Sequence, residues 1–593
     1  MAGSPEAFYK QRLTELDAGH RQNQSYHDRL LLGATVAVLL FAGANVGAFR
    51  HALPGWAVGL AAVPAIGLIF PFLKSRRERE RLTRSIALYE AGVARVTHQP
   101  AKQPQTGEVF RDPAHLYDRD LNILGRDSLF ATLATTRTGW GQRALAGSLL
   151  VSPSREETLA RQEAIRELAP GTQLRQELAM LGSNALQPTA PETFDHWLAE
   201  PAAEFPSLLR PLLYVTSSFA GLLLLAWLAG RLPLDTLLPN LAAVLGLQAA
   251  VALRYRAKVL PILEATAPLP GQVQILRDGL ALLRKQNSAA RHLVGLQESC
   301  GGADEALADL QKQLFVVEQR KTELFYLPGL VVNAGTHASV RIDRWKRLHG
   351  GALRGWIAAF GSFDALSALA TYAFEHPENC FPEMLSAEEP ATFEATLMTH
   401  PLLPNAVAND ISLNAGERFY LISGSNMAGK STLLRAIGLT VVLARAGCPV
   451  PARRARLSPL KIGVSLALTD SLTERKSKFL AEVHRLREIL LMARRSPALF
   501  LIDELFSGTN SSDRLTAAEA VLDELLTTGA IGALSTHDLA LTTLATDPRR
   551  GVNVHMASPD LDDPLAFDYV LKPGVNTRTN ALAFLRLLNL GSA

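Results

Sequence analysis

Cysteine is nearly missing from this chain: 593 residues carry three, Cys300, Cys380 and Cys448, widely separated and in no CxxC pair. A disulfide framework and a zinc knuckle are therefore not indicated, and the soluble parts read as cytosolic. A charge excess is missing as well. Lys+Arg 60 stand against Asp+Glu 56, a formal +4, far too weak to announce a nucleic-acid binder, so any such contact must come from a local patch. The clearest basic cluster is Arg453, Arg454 and Arg456, a pattern that is more often a solvated loop than a phosphate contact. Internal repeats and low-complexity tracts are absent too.

What is present is length and apolarity. The length implies about two to four folded units. Hydrophobic residues make up 48% of the chain, and the excess sits in two places. Residues 30–49 and 52–73 are uncharged runs separated by Arg50 and His51; residues 211–230 and 236–253 form a second pair around Arg231 and Asp235. Each run reaches or approaches the roughly 20 apolar residues that cross a bilayer as a helix, since lipid leaves every backbone amide to be satisfied internally. Two transmembrane helical hairpins are expected. The alternative is buried core helices, favoured more in the second pair, where Pro239, Asn240 and Gln248 interrupt the pattern. Residues 1–29 are too long and too acidic for the n-region of a signal peptide. Lys74, Arg76, Arg77, Arg79, Arg81 and Arg84 follow the first hairpin and Arg254, Arg256 and Lys258 the second, so the expectation is a multi-pass protein of the cell membrane with its N-terminus, core and C-terminal domain in the cytoplasm.

The expected order is a tail (1–29), hairpin 1 (30–73), a basic juxtamembrane segment and linker (74–112), a first helical region (113–206), hairpin 2 (207–256), a second helical region (257–390) and an α/β domain (391–593). Apolar spacing predicts helices between 113 and 181 and again from 259 to about 374, with Trp345, Trp356 and Phe363 as anchors and a loop rich in Pro and Glu at 375–390. From Thr392 short β-type runs alternate with helices, the signature of a layered α/β domain.

Chemistry concentrates in that last segment. The buried strand expected over 419–423 runs into Gly424-Ser425-Asn426-Met427-Ala428-Gly429-Lys430-Ser431-Thr432, which matches G-x-x-x-x-G-K-[ST], and a helix is expected over 433–446. The two glycines let the backbone turn its N–H groups toward an anion, the helix N-terminus adds partial positive charge, and Lys430 reaches the β- and γ-phosphates of a nucleotide. Ser431 is expected to ligate Mg²⁺. A second apolar strand, 498–502, ends in Asp503-Glu504: Asp503 would hold the magnesium through water and Glu504 would polarise the attacking water. A third, 530–534, leads to Ser535-Thr536-His537-Asp538, where His537 is placed to sense the γ-phosphate.

With those strands placed, the residues between them resemble the C-terminal ATPase of the MutS family of DNA mismatch repair proteins. The likeness rests on 424–432, Val450-Pro451-Ala452, Ser477-Lys478-Phe479-Leu480-Ala481-Glu482, Asp503-Glu504 with Gly508-Thr509-Asn510-Ser511-Ser512-Asp513, Ser535-Thr536-His537, and the closing Tyr569-Val570-Leu571-Lys572-Pro573-Gly574. More weakly, 116–168 is similar to the start of the family's helical core, and 365–370 with His400-Pro401-Leu402-Leu403 to its end. The resemblance implies an ABC-like P-loop ATPase domain using ATP and Mg²⁺, C-terminal to an α-helical core like that of MutS. It also implies a head-to-tail homodimer in which Ser477 and the loop Gly508, Thr509, Asn510 and Ser511 complete the other subunit's site, and Tyr569 stacking on adenine. The departures are specific. Residues 1–112 leave no room for a mismatch-reading domain, the helices around 311–348 look too short for a full DNA-embracing clamp, and membrane spans are foreign to the repair protein.

Two readings of function stay open from the sequence. One is a DNA-associated ATPase whose dimer closure moves the helical core. The other is an ABC-like membrane ATPase, a transporter or a nucleotide-gated scaffold; against transport stand the lack of an LSGGQ-type segment before Asp503 and of charge within the spans.

Overall fold

A computed structural model describes residues 4–99, 105–182, 192–320, 322, 325, 328–329, 332–425, 427–466, 478–506, 511–547, 550–558 and 566–576. The chain opens with two long helices, α1 (Pro5–Phe49) and α2 (Trp56–Val96). Ser4 caps α1 by accepting the Ala7 N–H, and Pro5 sits where a missing N–H costs nothing. The pair runs antiparallel, with Tyr9 against Tyr89, His27 against Phe72 and Gly47 against Leu53. The segment 5–29, expected as a tail, is thus helical. Its Phe8 and Tyr9 rings are covered by Tyr89 and Phe374, which gives the helix an apolar seam along which to form. Beyond this seam the helices expose their apolar residues: Leu39, Leu40 and Phe70 are all more than half accessible.

A helical body follows: α3 (Leu129–Leu133), α4 (Gly139–Leu150), α5 (Arg155–Leu168), α6 (Thr172–Ala179), α7 (Thr193–Ala199), α8 (Leu209–Leu228), α9 (Leu234–Ala265), α10 (Leu269–Lys285), α11 (Arg291–Ser299), α12 (Ala303–Gln319) and α13 (Ala334–Glu375). Ser128, Thr138 and Ser154 each cap the helix they precede through a hydroxyl that accepts a backbone N–H three residues on. Helices α8 and α9 leave Leu222, Leu228 and Leu253 largely accessible. Among the described residues five helices are long and apolar enough to cross a membrane: α1, α2, α8, α9 and α13. Helix α13 differs from the other four in burial, because most of its apolar window is covered by the core. Its 42 residues form one unbroken rod about 63 Å long.

The expectation of helix from 113 onward is corrected over 113–128, which is irregular. Local bonds there outcompete a helix ladder: Asp118 accepts the Leu124 N–H at 3.0 Å, and Tyr117 donates to the Leu149 carbonyl at 2.8 Å. The same segment fastens the helical body to the α/β domain. Val464 N–H donates to the Leu116 carbonyl (3.2 Å), Arg485 to that of His115 (2.9 Å) and Arg435 to that of Asp120 (3.0 Å).

The α/β domain holds two sheets. The smaller orders β1 (Glu383–Met384), β5 (Arg454–Leu457), β2 (Phe393–Met398) and β3 (Asn409–Leu413). Because β1 pairs with β5, the domain begins before the expected boundary at 391. The larger runs β10 (Lys572–Pro573), β9 (Val552–His555), β4 (Phe419–Ser423), β8 (Ile531–Thr536), β7 (Ala498–Asp503) and β6 (Lys461–Ser465), parallel except at β10. Tyr420, Ile422, Leu499 and Leu501 face the helical body and α14 (Lys430–Arg445), while Phe419, Leu421, Phe500 and Ile502 face the layer of α15 (Lys478–Ala493) and α16 (Ser511–Thr527). Burial on both faces is why these strands read as continuous apolar runs.

The C-terminal end of α13 meets the first helical pair at one buried ion pair. Arg95 donates to Glu375 at 2.7 Å, and the Tyr9 hydroxyl donates to the same carboxylate at 2.8 Å. Burial, then the Glu375 charge, pushes the Tyr9 phenol up, so it stays a donor. Arg95→Ala would strand the Glu375 carboxylate, costing about 3–5 kcal/mol. The expected result is faster amide hydrogen exchange over residues 5–20 and 85–96 with β4 still protected; unchanged protection would rule out this role.

Candidate functional site

The site is assembled at the carboxyl ends of β4, β7 and β8. Parallel pairing in register, Ser423 beside Thr536 and Asp503 beside Ser535, brings three chain segments to one edge, where an open α/β sheet binds its ligand. Strand β4 is buried throughout and delivers the chain to Gly424 at φ +153, where a Cβ would sit 2.5 Å from the Met556 carbonyl oxygen. Gly429, left-handed at φ +95, opens α14. Any side chain at either position would strain the loop.

Lys430 is buried, and its ammonium donates to the carbonyls of Gly424 (2.7 Å) and Ser425 (3.0 Å), closing the loop on itself. Burial pushes its pKa down, while Asp503 and Glu504 act in the opposite sense. Asp503 accepts hydrogen bonds from the hydroxyls of Ser431 and Ser535. A hydroxyl and a carboxylate already in contact are hard oxygen donors of the kind Mg²⁺ takes, so Ser431 and Asp503 suit the ion. Glu504 holds a left-handed backbone (φ +53), fixed by its N–H to the Ser535 carbonyl at 3.1 Å, and its Oε1 lies 3.1 Å from His537 Nδ1. Backbone strain at such a residue is paid for by its surroundings and belongs with functional geometry.

Two residues missed from the sequence hold the loop beyond Glu504. Buried Glu482, on α15, accepts the Phe506 N–H at 2.7 Å, and Arg514, on α16, donates to the Phe506 carbonyl at 3.1 Å and pairs with Asp538 at 3.3 Å. Glu482 stands in the 477–482 segment that carries the family resemblance but had no role assigned to it, and Arg514 follows the 508–513 segment directly. His400 and Asn405 were missed as well. With Met398, Val407, Met556 and Tyr569 they line a cleft of about 770 Å³ that opens beside Lys430 and Ser431. Burial, followed by Arg435, pushes His400 down to about 4, so its ring is neutral at pH 7. Tyr569 lies against Gly429, and its carbonyl accepts the Asn409 amide at 3.1 Å. The cleft has a polar end, at Lys430, Ser431 and Asp503, and a less polar end, at Met398, Val407 and Tyr569. Ser425, Met427, Ala428 and Thr432 stand in or beside the loop. Asn426, Ser477, Gly508, Thr509 and Asn510 lie outside the described residues, as does the side chain of Ser511, whose backbone begins α16.

Fold and site together define a P-loop nucleotide-binding α/β domain. Residues 420–592 match the family model MutS domain V. The chain is 36% identical over 238 residues to Endonuclease MutS2 of Thermus thermophilus, a stretch covering 40% of this chain and 30% of the relative. It is 32% identical over 295 residues to the DNA mismatch repair protein MutS of Sorangium cellulosum (47% and 32% covered) and 31% identical over 286 residues to DNA mismatch repair protein MutS 2 of Halobacterium salinarum (47% and 31%). Through this C-terminal region the chain is similar to proteins of the MutS family. It spans about a third of the length of these relatives.

Glu482→Ala removes the acceptor of a buried N–H two residues beyond Glu504, at about 1–3 kcal/mol. Nucleotide affinity is expected to hold within a few-fold while turnover falls at least tenfold; equal turnover in a steady-state assay would show that Glu482 does not position the loop.

Proposed function

We propose that this chain is a Mg²⁺-dependent ATPase of the MutS type that acts in DNA maintenance as a homodimer with composite sites, anchored in a bilayer by α1, α2, α8 and α9. The observation that carries the reading is the joining of the phosphate loop to the acidic strand end through Ser431 and Asp503, with Glu504 and His537 side by side at the next position. Lys430 would exchange the Gly424 and Ser425 carbonyls for the β- and γ-phosphate oxygens. Ser431 and Asp503 would hold Mg²⁺, which would supply charge neutralisation at the phosphates. Glu504 would orient and deprotonate the attacking water, and His537 would donate toward the γ-phosphate. The cleft wall formed by His400, Val407 and Tyr569 would receive the adenine.

Membrane anchoring is supported by four helices with uncovered apolar faces, and the basic residues following each pair favour a cytoplasmic ATPase domain. DNA as partner is supported by the names of the relatives. A second reading, an ABC-like membrane ATPase or nucleotide-gated scaffold without mismatch recognition, is favoured by α13, a single rod that touches α9 near the second apolar pair and meets the first pair at Glu375.

Glu504→Gln is expected to keep ATP binding and lower the hydrolysis rate by about 100-fold or more, and Lys430→Ala to weaken binding itself. Full hydrolysis by either variant sinks the enzymatic reading. Binding of homoduplex and mismatched DNA by detergent-purified protein, titrated with salt, separates the alternatives: no binding at low salt rejects the DNA role.

A further inference from the structure

A small cavity of about 50 Å³ lies where α2, α6 and α13 converge, far along the chain from the phosphate loop. Three guanidiniums line it: those of Arg95, Arg137 and Arg175. The carboxylates nearby are both engaged. Glu375 is taken by Arg95 and Tyr9; Asp364 accepts the backbone N–H groups of Arg137 (3.0 Å) and Thr138 (2.9 Å) and the Thr138 hydroxyl (2.7 Å). Arg175 has no carboxylate among the described residues. Its Nη1 donates to the carbonyls of Leu168 (3.0 Å) and Ala169 (2.6 Å), Phe374 covers one face of the guanidinium, and Nη2 is buried with no acceptor among the described residues. The hydroxyls of Ser367 and Thr371 and the amide of Gln176 complete the wall.

A buried guanidinium without a counter-charge is costly, and a planar N–H fork is the group best matched to an oxyanion. We propose that this cavity is a binding site for a small soluble oxyanion, a phosphate group held chiefly by Arg175 with help from Arg137. Burial pushes the pKa of both arginines down, while Glu375 for Arg175 and Asp364 for Arg137 act in the opposite sense. Burial also raises Asp364 to about 6, against the Arg137 and Thr138 donors that hold its carboxylate. The volume admits one tetrahedral anion and excludes a nucleoside. A lipid headgroup is excluded by distance, since Arg95 stands about 33 Å along α2 from the end of its apolar run at 73. A bound anion would tie α6 and the first helical pair to α13, which leads directly into the nucleotide-binding domain.

The test uses the full-length protein in detergent and inorganic phosphate as the probe, against chloride at matched ionic strength. About 10 mM phosphate is expected to raise the thermal midpoint by a few degrees, by mass action on the folded state. Lys430→Ala should retain that rise, which separates this site from the phosphate loop, and Arg175→Gln should abolish it. Gln176→Glu, which places a carboxylate in the same cavity, should raise the midpoint in chloride and remove the response to phosphate. The proposal is overturned if wild-type protein shows no phosphate-specific rise, if Lys430→Ala abolishes the rise, or if Gln176→Glu responds as the wild type does.

Discussion

Asp503 is the point on which the nucleotide-binding domain turns. Its carboxylate lies between the hydroxyls of Ser431, at the start of α14, and Ser535, in β8, and so joins three segments that the sequence separates by 72 and 32 residues. The contact exists because β4, β8 and β7 lie side by side in register, and the register exists because both faces of those strands are buried. A slip of one residue would exchange the two apolar faces and move the carboxylate out of reach of the loop.

The same packing explains how the site is connected to the rest of the chain. Helix α14 is buried along most of its length because the helical body covers it, and the irregular segment 115–124 contributes carbonyls and an apolar side chain to that cover. Leu121 fills the space that a side chain at Gly438 would need, which brings α14 and the segment close together. A displacement at the phosphate loop is thereby placed one layer from α13. That long helix is gripped by Arg95 of α2 at its C-terminal end, where the chain passes into the nucleotide-binding domain.

Chemistry was legible in the sequence wherever a motif and its element coincided. Gly424 through Thr432 between a strand and a helix, and Asp503-Glu504 at the end of an apolar strand, needed only local pattern to be recognised. Glu482, Arg514 and His400 were not legible as site residues, because their roles come from where distant backbone groups are brought to them. The residues 5–29 misled for a related reason: their polar surface reads as a tail, and only the cover given by Tyr89 and Phe374 makes them one seam of a helical pair.

Sequence alone determined the phosphate loop, the acidic strand end, the α/β alternation that carries them and the two pairs of long apolar runs, since each depends on the order of neighbouring residues and on hydrophobic period. Tertiary structure alone decided that Ser431 and Ser535 hold Asp503, that Glu482 and Arg514 hold Phe506 beyond Glu504, and that Arg175 is enclosed without a paired carboxylate among the described residues. Those facts depend on distances between residues far apart in the chain, which close packing sets and no local pattern encodes.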